Sequence, residues 1–237
     1  MRATPPDRMR RAFLALSCAL LAACVARLPS PPSLPADVQA PADFPQAYYL
    51  QAAANGKTVL QVKPEQSLIA VEVRRGGMLA GLGHDHLVAS RDVRGLVLPS
   101  EGREDLYLPL SLLTVDEAGL RAEAGMDTKP NQDAIEGTRR NMLEKVLEAD
   151  RFPFALVRIT REDAAAGTLK AAITLHGQTR MVEAPARIEG DAGRMIVSGR
   201  LAIAQSDFGI TPFSVLGGAL QVQDRLEIRY RIAAENH

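Results

Sequence analysis

From Val222 to Ile232 the side chains alternate. Val222, Leu226, Ile228, Tyr230 and Ile232 fall on one face, with Asp224 breaking it once, and Gln223, Arg225, Glu227, Arg229 and Arg231 fall on the other. A period of two with one apolar and one charged face is the pattern of a β-strand that has a dry side and a wet side. The same reading fits Met195, Val197, Gly199, Leu201 and Ile203, then Val182, Ala184, Ala186 and Ile188, and also Leu169, Ala171, Ile173 and Leu175. Further strands are expected at Leu68–Arg74, Leu87–Leu98, Tyr107–Val115 and Phe154–Arg161. The links between the later ones are short and polar: Ala164 to Gly167, His176-Gly177-Gln178-Thr179 and Glu189-Gly190-Asp191. About eight strands at near-regular spacing point to an antiparallel sandwich or barrel. A chain of 237 residues with 46% apolar side chains can give such a sheet a real core.

One stretch breaks the pattern. Between Asn131 and Asp150, Ile135, Met142, Leu143, Val146 and Leu147 recur at helical spacing, with Pro130 before them and Phe152-Pro153 after. Gly137 is a point where this helix is expected to split. A helical insertion in an all-β sheet suits a lid or plug, and a barrel of eight strands is just wide enough to hold one small ligand.

The N-terminus is of a different kind. Arg2, Arg8, Arg10 and Arg11 precede an apolar run from Ala12 to Leu21, which ends in Leu21-Ala22-Ala23-Cys24. This is the layout of an export signal and is too short to span a bilayer. The final tetrapeptide resembles the lipobox of bacterial lipoproteins, which implies cleavage before Cys24 and acylation there. Val25 stands where Asp is the usual inner-membrane retention signal, so the expected address is periplasm-facing, at the outer membrane. The other cysteine, Cys18, lies inside the leader, so no disulfide is expected after processing. Pro29, Pro31, Pro32, Pro35, Pro41 and Pro45 then read as an extended tether. The segment from Ala47 to Asn55 reads as either more tether or a short helix. The expected organisation is a leader over 1–23, an acylated Cys24 and tether over 24–56, and a folded domain over 57–237. Without the four Arg and one Asp of the leader, 28 basic and 28 acidic residues become 24 and 27, a net charge of −3. That is an ordinary solvated surface with no footprint for nucleic acid.

Four local patterns then occur in order. Gly83-His84-Asp85-His86-Leu87 precedes Val93-Arg94-Gly95. The run from Thr138 to Leu143 leads into Ala149-Asp150-Arg151-Phe152-Pro153-Phe154. Gly167-Thr168-Leu169 leads to Leu175-His176-Gly177-Gln178-Thr179-Arg180. Ser206-Asp207-Phe208-Gly209-Ile210 precedes the last amphipathic strand. Together they resemble the YceI-like family of lipocalin-like, polyisoprenoid-binding proteins over about residues 57 to 234. Gln178 stands where that family commonly has Val, and Met78 to Gly83 resembles its Gly-His-Asp branch. The resemblance implies an eight-stranded antiparallel lipocalin-like barrel capped by helix, with a long apolar pocket for a quinone, polyprenyl lipid or fatty amide.

The side chains agree with such a site, because an isoprenoid tail calls for length and dryness more than for catalytic groups. The expected ligand-binding residues are Leu226, Ile228 and Tyr230 on the last strand, Phe208, Ile210 and Phe213 near one mouth, and His84 and His86 toward a head group. Tyr230 is a phenol that needs a partner when buried. The small inward residues Ala171, Ala184, Ala186 and Gly199 leave room for a ligand or let strands approach closely. No catalytic residue, resident cofactor or metal is expected. G-x-S-x-G, H-E-x-x-H and phosphate-binding glycine loops do not occur. Two other readings stand beside this one. In one, His84, Asp85 and His86 serve a metal-binding or hydrolytic envelope protein, although zinc wants three or four ligands. In the other, the barrel is packed solid and serves as a structural or partner-binding module.

Overall fold

In the computed structural model, residues 39–160, 167–191 and 193–236 are described. The residues read above as leader, acylated Cys24 and tether, up to residue 38, and the Ala164-Ala165-Ala166 link lie outside them. From Gln39 onward the chain forms one compact unit. That unit holds helix α1 (Gln46–Ala54), strands β1 (Leu60–Val62), β2 (Leu68–Val73), β3 (Arg75–Gly76), β4 (His86–Ser90), β5 (Arg94–Leu98), β6 (Arg103–Pro109) and β7 (Thr114–Val115), and helices α2 (Ala118–Glu123) and α3 (Gln132–Asn141). It continues with β8 (Phe154–Thr160), β9 (Thr168–Leu175), β10 (Gln178–Gly190), β11 (Arg194–Ala204), β12 (Ser214–Val215), β13 (Leu220–Val222) and β14 (Arg225–Glu235).

The sheet closes on itself. Its order is β5-β6-β8-β9-β10-β11-β14, every pairing antiparallel, and β1 bridges β14 to β5. A 3₁₀ turn at Pro64–Gln66 kinks the first strand into β1 and β2, and residues 91–93 kink the second into β4 and β5. Counting each kinked pair once gives an eight-stranded antiparallel barrel, as the family resemblance implied, where the alternation alone left sandwich and barrel open. Its hairpins follow from local chemistry. His176 and Gly177 both take positive φ, 51° and 71°, between β9 and β10. Two such residues make the turn whose twist matches the strands it joins.

Packing is uneven along the barrel axis. At one end Leu60, Val62, Val93, Val97, Met195 and Ala234 fill the interior and are almost fully buried. Outside that end lies α1. Tyr49 and Ala52, one helical turn apart, are buried against Leu98, with Val59 and Leu96 alongside. The Tyr49 hydroxyl donates to Asp105 Oδ2 at 2.8 Å, and Asp105 also accepts from Arg103 (2.8 Å) and Arg158 (2.6 Å). The segment from Ala47 to Asn55 is therefore a helix of the folded unit, which starts well before Lys57. The folded unit thus includes residues 39–56 of the stretch expected to be tether.

Other differences have physical causes. The strand expected at Tyr107–Val115 begins four residues earlier. Its first residues, Arg103, Glu104 and Asp105, are charged and show no apolar alternation, yet Glu104 and Asp105 are buried at 2% and 3% exposure. It also breaks into a 3₁₀ turn at Leu110–Leu112 before β7. Gly137 does not split the helix. Capped by Asn131, whose Oδ1 accepts from the Ala134 N–H at 2.9 Å, α3 runs through it and widens into a π-turn over Met142–Val146. Arg161 lies beyond the described part of β8.

Candidate functional site: an apolar cavity with a latched lid

Above the plug of packed aliphatics the barrel is hollow, with a cavity of about 480 Å³. Its walls follow from the alternation of each strand. Ile69, Val71 and Val73 come from β2, Leu106 and Leu108 from β6, Ala155, Val157 and Ile159 from β8, and Leu169, Ala171, Ile173 and Leu175 from β9. Val197, Leu201 and Ile203 of β11 and Leu226, Ile228, Tyr230 and Ile232 of β14 complete them. The wall is almost wholly aliphatic. Polar groups gather at two levels, the floor and the mouth.

On the floor stand Ser90, Glu104 and Tyr230. The Tyr230 hydroxyl donates to the Pro185 carbonyl at 2.7 Å. Burial, and then the charge of Glu104, push its pKa above the ordinary phenol value. Beneath the ring lies its cross-strand partner Gly199, where a Cβ would meet Pro185 O at 2.0 Å and the Tyr230 hydroxyl at 2.6 Å. Gly199 therefore gives its space to Tyr230 and leaves none for a ligand. Ala171 and Ala184 do face the cavity, whereas Ala186 packs in the core.

At the mouth, α3 and its π-turn form one side, with Thr138, Asn141, Met142, Val146 and Leu147 facing inward. A polar latch holds this lid. His86 Nδ1 lies 2.6 Å from Asp116 Oδ2, and its Nε2 lies 3.3 Å from the Thr138 hydroxyl on α3. An ionised carboxylate only accepts, so Nδ1 donates to Asp116, while Nε2 and the Thr138 hydroxyl share the second hydrogen bond. Asp116 also accepts from the Leu87 N–H (2.9 Å) and from Arg121 (2.5 Å), which in turn holds the Asp85 carbonyl (2.6 Å). Burial works to raise the Asp116 pKa, but the hydrogen bonds from His86, Leu87 and Arg121 outweigh it and hold the carboxyl below its usual range. Arg139 of α3 donates to the carbonyls of Leu113 (3.0 Å) and Ser111 (2.5 Å), a second fastening.

The residues expected from sequence sort unevenly. Leu226, Ile228, Tyr230, Phe213, His84 and His86 all reach the cavity. Phe208 and Ile210 do not. They are 1% and 3% exposed in a cluster with Ile203, against which Leu201, Leu226 and Ile228 pack. A tight turn with Gly209 at φ 70° folds them into that core. They brace the wall without lining it. Tyr230, with its hydrogen already given to Pro185, retains only lone pairs for a head group. His84 is exposed, its ring centroid 6.1 Å from that of His86.

His84, Asp85 and His86 do not converge on a common point. The Asp85 carboxylate accepts from the Arg75 N–H (2.9 Å) and from Arg74 (3.1 Å), and these bonds hold its pKa down against the opposing effect of burial. Among the described residues, no three His, Cys, Asp or Glu side chains are grouped to hold a metal ion. Sequence reading missed Asp116 and Arg121. The one local signal was an Asp directly after a strand, where its φ of 59° is a conformation that Asp tolerates better than most residues.

The model of the YceI-like domain matches residues 61–234, most of the chain. The chain belongs to the YceI-like family. Two solved structures resemble this member in fold. A polyisoprenoid-binding domain from Saccharophagus degradans superposes with a TM-score of 0.54 at 13% identity, covering 76% of this chain and all of that one. BcnA from Burkholderia cenocepacia gives 0.50 at 12% identity, covering 73% of this chain and 98% of its own. No curated protein matched this YceI-like chain in sequence.

Proposed function

We propose that this YceI-like protein binds and carries, without catalysis, an apolar isoprenoid-like lipid such as a quinone, a polyprenyl lipid or a fatty amide. The observation that carries the reading is the hollow above the plug. It is a single aliphatic-walled cavity of about 480 Å³, with polar groups only at its two ends. That lies within the range of about 300–1,000 Å³ typical of small-molecule sites. A tail needs dry wall along its length, and the strand faces of β2, β8, β9 and β14 supply it. The polyisoprenoid-binding domain of the same fold supports this class of ligand. We place the protein in the bacterial envelope, held by a lipid on Cys24 and most simply at the outer membrane. The support is the leader and lipobox pattern of residues 2–24.

The test is Ile228→Phe, which fills the cavity and keeps its surface apolar. Titration with ubiquinone, polyprenol and a fatty amide should give micromolar or tighter binding to the wild type for at least one of them. The variant should bind that ligand at least about tenfold more weakly with an unchanged circular dichroism spectrum. Equal affinity in a folded variant removes Ile228 from the site. No binding of any of the three to the wild type removes the carrier reading and favours a structural module. For the anchor, Cys24→Ser should abolish incorporation of labelled fatty acid and release the protein from membranes.

A further inference from the structure

Two stretches of the chain carry no Asp, Glu, Lys, Arg or His: residues 76–83 and residues 208–223. Far apart in sequence, they meet at the mouth of the barrel. β13 lies between β12 and β3, pairing Gln221 with Gly76 and Ser214 with Gln221. The Leu79 N–H donates to the Ala219 carbonyl at 2.8 Å, and Gln223 bonds Arg74 and Arg75 backbone carbonyls. The result is a small uncharged flap. Its side chains are not tucked away. Met78 is 92% exposed, Leu82 74% and Leu216 70%, with Leu79 and Val215 about half as exposed as these. Leu82 and Val215 also line the cavity, so the exposed apolar surface runs without a break into the interior.

Backbone geometry adds an independent observation. Leu216 has φ 53°, followed by Gly217 at 65° and Gly218 at 88°. A bulky residue in the left-handed region is a true outlier. Here the strain holds a leucine out into solvent, where it gains little burial in this chain. Strain of this kind persists where a site uses it.

We propose that this flap is a membrane-docking rim: Met78, Leu79, Leu82, Val215 and Leu216 insert into a lipid bilayer and join the cavity to it. The occupant is a bilayer surface because the rim is uncharged, and because it continues into an aliphatic cavity whose cargo, on the reading above, resides in that same apolar phase. A lipid leaving through this mouth passes from bilayer to barrel without crossing water. The chain between Cys24 and Gln39, where the compact unit begins, is also long enough to permit it. Its 14 residues, at up to about 3.3 Å each, exceed the height of an eight-residue strand. An anchor on Cys24 would therefore let either end of the barrel face the membrane.

The experiment uses the full chain with Cys18→Ser and Cys24→Ser, carrying a single new cysteine with an environment-sensitive dye. The sites are Leu216→Cys and Met78→Cys on the rim, and Ser100→Cys, exposed at the opposite end. Phosphatidylcholine vesicles are the probe. The rim labels should shift to the blue, the Ser100 label should not, and added salt should leave the response intact, since no charge drives it. Adding Leu82→Asp to the Leu216→Cys protein should weaken the response about tenfold or more. A rim label that stays in water, or a shift equal at Ser100, overturns the proposal. So does a shift without vesicles that grows with protein concentration, because the rim is then a contact between copies. Quinone titration in solution of the Met78→Asp protein separates this from the carrier reading, since Met78 does not line the cavity. Rim insertion with an empty cavity sinks the carrier alone, and cargo binding with a rim that stays in water sinks the rim alone.

Discussion

The two ends of the barrel solve opposite problems. At the plugged end a helix covers the core and the buried charge beneath it is paired, although Leu50 on the outer face of that helix stays 62% exposed. α1 lies over Leu98, and Asp105 is shared by Tyr49, Arg103 and Arg158. At the open end the lid is latched by a buried His86–Asp116–Arg121 chain, yet the flap at the same mouth leaves Met78, Leu82 and Leu216 in water. The plugged end is built for stability. The open end spends none of its exposed leucine surface on the fold. A molecule stabilised mainly at one end can keep an apolar opening at the other without unfolding. The contrast makes definite predictions about which substitutions affect folding, which affect binding, and which improve one at the expense of the other.

The largest effect belongs to the plugged end. Tyr49→Ala removes a ring that is 1% exposed and takes one of three hydrogen-bond donors from the Asp105 carboxylate. Chemical denaturation should show a loss of about 3–5 kcal/mol. Affinity for the cavity ligand should not change in the folded fraction, because Tyr49 sits outside the barrel wall. A clear drop in affinity without unfolding would mean that the two ends are coupled and that the comparison fails.

Much of this division was legible in the sequence, and the reasons differ by region. β14 and β11 were readable because one face meets the cavity and the other meets water, so the alternation is nearly unbroken. β6 was only half readable. Glu104 and Asp105 are charged residues buried for reasons that only tertiary structure supplies, one toward the floor and one beneath Tyr49. The flap strands β3, β12 and β13 have two or three residues each, too short for any period to show. Phe208 and Ile210 looked like mouth residues because an apolar loop next to a strand reads the same whether it turns inward or outward. The latch was invisible for another reason: Asp116 and Arg121 are separated from His86 by about thirty residues, and only the β4–β7 pairing brings them together.

Acid should act on both ends through the same carboxylates. Asp85, Asp105 and Asp116 all have folded pKa values below the ordinary one, in each case because hydrogen bonds outweigh burial. For a carboxyl of this kind the unfolded chain binds its proton first as the pH falls. The stabilisation is complete above the unfolded pKa of about 3.9 and is lost as the pH drops through the folded value. Wild-type stability should therefore fall steeply from about pH 5 downward. Asp116→Asn should be less stable at neutral pH by about 1.5–3 kcal/mol, the worth of hydrogen bonds to a charged group, and should show a shallower fall in acid. Urea midpoints across that range measure both. If the two proteins fall in parallel, Asp116 carries no part of the acid response.

The two histidines at the mouth differ in the same sense as the two ends, on a smaller scale. His86 is held by Asp116 and reaches Thr138 of the lid, whereas His84 is exposed. His86→Ala should lower stability by about 1–2 kcal/mol and loosen α3, seen as faster amide exchange over residues 132–141 than in wild type. His84→Ala should stay within about 0.5 kcal/mol of wild type. Equal effects from both would show that the latch is not where these bonds place it.

The smallest effect has the opposite sign. Leu216 is 70% exposed at φ 53°, so its side chain contributes little burial while its backbone is strained. The left-handed region costs a non-glycine residue about 1–2 kcal/mol, and glycine returns about 0.4–1 kcal/mol of that through the freedom it adds to the unfolded chain. Leu216→Gly should therefore raise stability by a few tenths to about 1 kcal/mol, in denaturation without lipid. Binding to phosphatidylcholine vesicles should weaken in the same variant, because the leucine side chain is what the rim would insert. A residue that opposes folding yet strengthens docking is what a surface shaped for an apolar phase predicts. If Leu216→Gly instead destabilises the barrel, Leu216 belongs to the packing of the fold, and the open end is not the region free of folding duty that its exposure suggests.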